Sequence, residues 1–198
     1  MDNYSKEDFL SLIYNGTYDL IDPEYISARP KYNVTRFIKN FNLNTEHSVL
    51  DYGGGNGCFA QDLRNCGLST AHTLDPFDFS DEVFIDKYDF VTSFEVMEHC
   101  TNPIHAFDEV FGRLKANGVA VISTLCPFDA PCDDFEQLKK HFSHLQPRSG
   151  HISIFSSNSL KKIASIFNLE HFALDIGYHI FYDPKFQNPK DFLKEGAR

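Results

Sequence analysis

Two periodicities run along this chain. Short apolar runs, the pattern of buried strands, alternate with stretches whose apolar residues recur every three or four positions, the pattern of amphipathic helices. Phe9, Leu10, Leu12 and Ile13 predict a short helix within residues 6–15, and a second helix is predicted over about 34–41, after a Tyr- and Pro-rich stretch from Tyr14 to Tyr32. Ser48-Val49-Leu50 opens a strand that reaches Asp51 and breaks into glycines, and Ala60, Leu63 and Cys66 continue at helical spacing. Strands are predicted at Thr70–Leu74, Tyr88–Phe94 and Val119–Leu125. Between the last two, Ile104, Phe107, Val110, Phe111 and Leu114 mark a helix whose C-cap reads as Asn117-Gly118. Residues 126–150 form a long loop, with room for a helix at 134–141; such a loop in a small domain serves as a lid or a substrate wall. Ser156 to Ser159 caps a helix over 160–167, and strands at 170–175 and 178–182 close the sheet. The polar tail from Pro184 is expected to be loose.

The chemistry concentrates at the first turn. Gly53, Gly54, Gly55 and Gly57 come within six residues of Asp51. So many glycines weaken an idle junction, and they leave backbone free to approach a ligand at the N-terminus of the following helix. The acid at the lip should take a donor from that ligand. Residues 55–60 fit the loose dinucleotide pattern G-x-G-x-x-A, whereas no Lys follows the glycines as a phosphate-binding loop requires. An acid in front of the turn disfavours a pyrophosphate and welcomes a cationic ligand.

Composition narrows the field. With 28 acidic and 18 basic residues the formal net charge is −10, which argues against a large nucleic-acid footprint. Cys58, Cys66, Cys100, Cys126 and Cys132 form no C-x-x-C, the pattern of a reducing, cytoplasmic setting with neither a disulfide framework nor a zinc knuckle. No apolar run approaches a membrane span, so no membrane partner is expected, and the oligomeric state stays open.

The strand, the acid and the alternating Gly53, Gly55 and Gly57 resemble the first motif of the class I S-adenosylmethionine (SAM) methyltransferases. "EVMEH" at 95–99 and "LKANGVAVISTL" at 114–125 resemble later motifs of the same family. The resemblance implies an α/β fold: a Rossmann-like class I methyltransferase sandwich with a mostly parallel twisted sheet and an antiparallel last strand. Residues 46–182 would form the SAM-binding domain, residues 1–45 a helical segment covering the cofactor, and 183–198 the tail. It also implies that Asp75, at the end of the second strand, holds the SAM ribose. Pro76 and Phe77 follow, with Phe77 or Phe79 a candidate to pack on adenine; Phe94 lines the same end of the sheet, and Arg29 is the candidate for the SAM carboxylate. Only 13 residues separate Asp75 from Asp89, too few for the family's usual helix and strand. The sheet should be shortened there and the adenine pocket more open.

Acceptors approach the carboxyl ends of the strands in this topology. Glu95, Glu98 and His99 lie there, and on a helical turn they would share a face. Two carboxylates and an imidazole converging in an acidic site need a cation between them; a divalent ion, Mg²⁺ or Mn²⁺ or else Fe²⁺, Co²⁺ or Zn²⁺, would serve. E-x-x-E-H with a distant His also resembles the metal-dependent O-methyltransferases, and on that resemblance Glu95, Glu98, His99 and His151 are the ligands. His141 and His144 are rivals for the fourth position. Without a metal, His99 is a structural or general-base histidine. Arg148 is a candidate grip on an acceptor phosphate or carboxylate, and Cys58 is filler. The expected activity is O-methylation of a small polar acceptor. The run at 147–153 resembles that of bacterial methyltransferases acting on capsule or surface-glycan precursors, sugar- or nucleotide-linked. The alternatives are a quinone- or phenol-type O-methyltransferase, a catalytically inactive SAM-binding partner subunit and, more distantly, a nicotinamide oxidoreductase.

Overall fold

The computed structural model describes residues 6–15, 17–24, 26–75, 77, 80–81, 85–129, 134–140 and 150–197. A six-stranded sheet organises them, with spatial order β2-β1-β3-β4-β6-β5. In chain order the strands are β1 (Val49–Tyr52), β2 (Ala71–Leu74), β3 (Tyr88–Phe94), β4 (Leu114–Ser123), β5 (Glu170–Asp175) and β6 (Tyr178–Tyr182). β1 to β4 run parallel, and β6 enters between β4 and β5 antiparallel to both. This is the Rossmann-like methyltransferase architecture, mostly parallel with an antiparallel last strand, that the resemblance of its motifs implies. Among the described residues no helix is long and apolar enough to cross a membrane.

Both faces of the sheet are covered, so the central strands are apolar on both sides. On one face α3 (Ala28–Asn40) and α4 (Cys58–Asn65) bury Val34, Phe37, Phe59 and Leu63 against Val49, Phe90 and Val121. On the other, α5 (Pro103–Gly112) and α7 (Ser157–Ile166) bury Phe107, Val110, Leu160 and Ala164 against Leu50, Val91 and Ile122. The many phenylalanines stack at the centres of these layers, as in the edge-on pair Phe37 and Phe90 at 5.4 Å. Shorter helices complete the chain: α1 (Lys6–Leu12), α2 (Tyr18–Ile21), α6 (Phe135–Leu138) and α8 (Pro189–Phe192).

Several boundaries differ from the sequence reading. Helix α3 starts at Ala28, six residues early, because Pro30 falls in its first turn, where a proline forfeits no intrahelical hydrogen bond. Asn117-Gly118 does not cap α5. The helix ends at Gly112 with Arg113 as its C-cap, and β4 begins at once at Leu114. Its register against β3 jumps from Tyr88↔Leu114 to Phe90↔Val119, so residues 115–118 bulge out of the ladder. A Cβ on Gly118 would lie 2.9 Å from the Tyr88 carbonyl oxygen, so the glycine serves close packing of two backbones. The C-terminal tail is docked rather than loose: Phe192 is buried, Asn42 N–H donates to the Phe192 carbonyl at 2.8 Å, and Leu193 bridges Phe41. Polarity alone concealed this, because a single buried aromatic anchors the segment.

The shortened segment after β2 makes β2 an edge strand, and side chains stand in for the missing neighbour. Asp81 accepts the Thr73 N–H at 2.7 Å and returns its own N–H to the Thr73 carbonyl at 3.0 Å. Arg64 donates to the Ala71 carbonyl at 2.5 Å, and the Ser80 hydroxyl accepts the Asp75 N–H at 2.9 Å. The edge therefore offers few open groups to another chain. Asp81→Ala should leave the Thr73 N–H without its partner and cost about 1–2 kcal/mol. Urea unfolding should show a lower midpoint at constant slope, and an unchanged midpoint would mean that the edge is held by something else.

Candidate active site

The carboxyl ends of β1, β2 and β3 open into one cleft of about 1530 Å³, lined by the glycine turn, Asp75, Phe77, Phe94, Glu95 and His99 among others. That exceeds the usual volume of roughly 300–1,000 Å³ for a single small-ligand site. The cleft has room for two small molecules side by side.

The glycine turn forms the floor. Gly53, Gly55 and Gly57 have φ of 74°, 54° and 76°, in the left-handed region that side chains avoid. A Cβ on Gly54 would lie 2.3 Å from Asp51 Oδ2, whereas a Cβ on Gly55 would meet nothing within 4 Å, because that position faces the open cleft. Asp75 Oδ2 accepts the Gly55 N–H at 2.8 Å and its Oδ1 accepts the Phe77 N–H at 2.7 Å, so this acid braces the turn as well as facing the cleft. The Asn56 amide donates to the Ile26 carbonyl at 2.9 Å and ties the turn to the segment before α3.

Asp51 sits deeper than a lip residue. It is 3% exposed, and its Oδ1 accepts from the Thr92 hydroxyl at 2.8 Å. Burial pushes its carboxyl up to about 7, against the pull of the Thr92 bond, and the Asp75 carboxylate adds to the rise. Arg29 also lines the cleft, but its guanidinium is held in a paired bond by Asp22, at 2.7 and 2.8 Å. Phe77 is 37% exposed and packs near Phe9 and Tyr14; Phe94 stacks on Tyr178 at 6.0 Å. Pro76, Phe79, His141, His144 and Arg148 lie outside the described residues.

Three of the four predicted metal ligands converge. One donor atom each from Glu98, His99 and His151 lie within 4.8 Å of one another, and the two imidazole rings are 4.6 Å apart at 76°. The loop carrying His151 is clamped in place, because Ile152 and Ser153 N–H both donate to the Glu98 carbonyl, at 2.9 and 3.0 Å. Gly150 admits the approach: its φ is 79°, and a Cβ there would lie 3.1 Å from His99 Nδ1. Glu98 is fully buried, and neither carboxylate oxygen makes a hydrogen bond of good geometry, although Thr124 and Glu95 stand beside it. Burial and then the Glu95 carboxylate hold its carboxyl well above the usual range.

Glu95 does not share a face with the other two. The helical turn spans only Met97–His99, and Glu95 precedes it at φ 57°. Its carboxylate accepts from the Ser123 hydroxyl at 2.7 Å, outside the three-residue group. A non-glycine residue in this conformation is strained, and such strain collects at functional sites.

Sequence reasoning passed over two residues. Tyr14 follows α1 and lies over the site, 5.5 Å from the Phe77 ring and 6.1 Å from His99, where burial and the nearby acids push its hydroxyl far up. The Tyr-rich stretch at 14–32 was its only signal. Arg36 lines the cleft two helical turns beyond Arg29. The spacing Arg29, Asn33, Arg36 on one face of α3 marks it, once that helix is known to begin at Ala28.

The sheet order and the glycine turn define a Rossmann-like methyltransferase fold, and comparison with known proteins makes the class specific. Residues 24–173 match the methyltransferase-domain family, and the chain belongs to that family. It is a methyltransferase-domain protein. Solved structures share the fold at low identity. A chain from the complex of the Haloferax volcanii Trm112 methyltransferase activator with a methyltransferase is 14% identical over 86% of this chain and 95% of its own, with a TM-score of 0.59. An O-methyltransferase family protein from Burkholderia thailandensis is 12% identical over 91% of this chain, with a TM-score of 0.57, and this chain spans 64% of that protein's length. Magnesium protoporphyrin IX methyltransferase from Synechocystis PCC 6803, solved with bound SAH, is 13% identical over 84% of this chain and 86% of its own, with a TM-score of 0.53. No curated protein sequence matches.

The raised carboxyl of Asp51 makes the free protein pH-sensitive. A buried acid that holds its proton more tightly folded than unfolded stabilises below about pH 4, and that contribution fades as pH rises through about 7. Glu98 acts in the same direction. Asp51→Asn should therefore flatten the fall in melting temperature between pH 4 and 8, with the variant gaining on the parent at the alkaline end. Parallel curves for the two proteins would contradict the burial cost assigned to Asp51.

Proposed function

We propose that this protein transfers a methyl group from SAM to a hydroxyl of a small polar acceptor, with a divalent cation held by Glu98, His99 and His151. The observation that carries the reading is Glu98: a fully buried carboxylate without a well-formed hydrogen bond, facing two imidazoles. Such a group is costly unless it is protonated or a cation joins it. Two nitrogens and one carboxylate suit Mn²⁺, Fe²⁺, Co²⁺ or Zn²⁺ better than Mg²⁺, which prefers oxygen ligands. Glu95 becomes a fourth ligand only if its carboxylate leaves Ser123.

The donor fits the glycine turn. Open space over Gly55 receives it, Asp75 faces its ribose, Phe77 its adenine, and Arg29 its carboxylate once Asp22 gives way. Asp51 faces the cationic end, where positive charge would ionise it. SAM supplies a methyl group already activated on sulfur. A divalent cation would supply positive charge beside an acceptor hydroxyl and lower its pKa. The chain's own residues align the acceptor with the methyl group and exclude water: Tyr14 and α1 cover the site from above, and Glu95, which lines the cleft outside the three-donor group, would take the departing proton.

The acceptor class is inferred more finely from resemblance: a sugar- or nucleotide-linked precursor of a surface glycan or capsule. The substrates named for structural neighbours are chemically diverse, from magnesium protoporphyrin IX to a plantazolicin analogue, so none carries over. A metabolite-library assay that reads S-adenosylhomocysteine release tests the reading directly. With the acceptor in hand, chelation, Glu98→Gln and His99→Asn should each lower kcat/KM by about 10–100-fold while S-adenosylhomocysteine affinity holds. Restoration by Mn²⁺ is expected in the parent protein only, and undiminished turnover after chelation would remove the ion from the mechanism. Gly55→Val should weaken S-adenosylhomocysteine binding at least tenfold by placing a side chain where the donor lies.

A further inference from the structure

We propose that Arg36 is the anion-recognising residue of the acceptor site, and that the acceptor therefore carries a phosphate or carboxylate. The inference rests on the methyltransferase reading of the cleft. The walls of the cleft are acidic where the donor binds, through Asp51, Asp75 and Glu95. Arg29 and Arg36 face it from α3, seven residues and so about 10 Å apart along the helix. Arg29 stands at the glycine-turn end and is occupied by Asp22 in a paired bond. Arg36 stands over Tyr178, which starts β6 and pairs with Ser123 at the carboxyl end of β4. Acceptors approach this end in an open α/β sheet.

The guanidinium of Arg36 is shaped for recognition. It lies 3.8 Å above the Tyr178 ring, and that ring is fully buried and stacked on Phe94. Stacking fixes the plane of the fork and leaves its N–H edge free to point along the wall. Its ion-pair partner is Asp175, through Nη2 alone, and Asp175 belongs to the β5–β6 hairpin with its side chain 48% exposed. One N–H of five is engaged there. An incoming phosphate or carboxylate can take the remaining donors, or displace Asp175 and take the fork in a paired bond. Asp175 thus acts as a placeholder anion. A neutral acceptor would leave this cation paired only with a half-exposed carboxylate.

Isothermal titration of the free and the S-adenosylhomocysteine-loaded protein tests this with matched probes: uridine 5′-monophosphate against uridine, glucose 1-phosphate against glucose, and glucuronate as the carboxylate arm. At least one charged probe should bind about tenfold more tightly than its neutral partner. Arg36→Gln should abolish that preference and Arg36→Lys should reduce it roughly fivefold, because the ammonium keeps the charge but loses the fork and the stack. Asp175→Asn should strengthen it. Melting temperature and S-adenosylhomocysteine affinity should stay near those of the parent in Arg36→Lys. Equal binding of charged and neutral probes to the parent, or a preference that survives both Arg36 substitutions, overturns the assignment. A parent protein that fails to bind S-adenosylhomocysteine overturns the donor reading instead, and the titrations of the free protein still decide the role of Arg36.

Discussion

Two carboxylates held out of water set the terms for this molecule. Asp51 lies near the end of β1 and Glu98 follows β3, the neighbouring strand, and neither makes an ion pair among the described residues. Burying a charge without a partner costs far more than a typical side chain contributes to stability. Burial raises the pKa of both acids. Positive charge is the other remedy: Asp51 lies against the glycine turn that lines the cleft, and Glu98 lies beside two imidazoles.

The surrounding fold keeps those acids in place. Gly54 leaves room for Asp51 where any Cβ would collide, and Gly150 lets the His151 loop close on His99. Two N–H bonds from that loop to the Glu98 carbonyl bind the two halves of the cluster together. Glu95 is held aside by Ser123 in a strained backbone conformation. Its carboxylate lies close enough to raise the pKa of Glu98 without joining the three donor atoms.

The loss of a helix and strand after β2 has two consequences. The sheet ends early, and Asp81, Arg64 and Ser80 satisfy the exposed edge from one short segment and one helix. The donor pocket loses a wall on that side, and the N-terminal segment supplies cover. Phe9, Tyr14 and Tyr18 pack together and against Phe77, so α1 bridges the end of β2 and the His99 turn. Cover drawn from outside the sheet can open and close without disturbing the core, which suits a site that must admit two ligands and exclude water.

The local sequence determined the strands and the glycine turn. These depend on short-range physics: alternation of apolar residues, the backbone freedom of glycine, and caps such as the paired serines at 156 and 159. Tyr88–Phe94, Glu170–Asp175 and Tyr178–Tyr182 are legible to the residue for that reason. What only the tertiary structure decided are matters of distance between remote segments. Nothing local says that Arg29 meets Asp22, that Glu95 turns to Ser123, that Phe192 anchors the tail, or that Arg36 stacks on Tyr178. Spacing names the residues able to reach a site. Burial and the competition of neighbours for each charge determine which of them arrive.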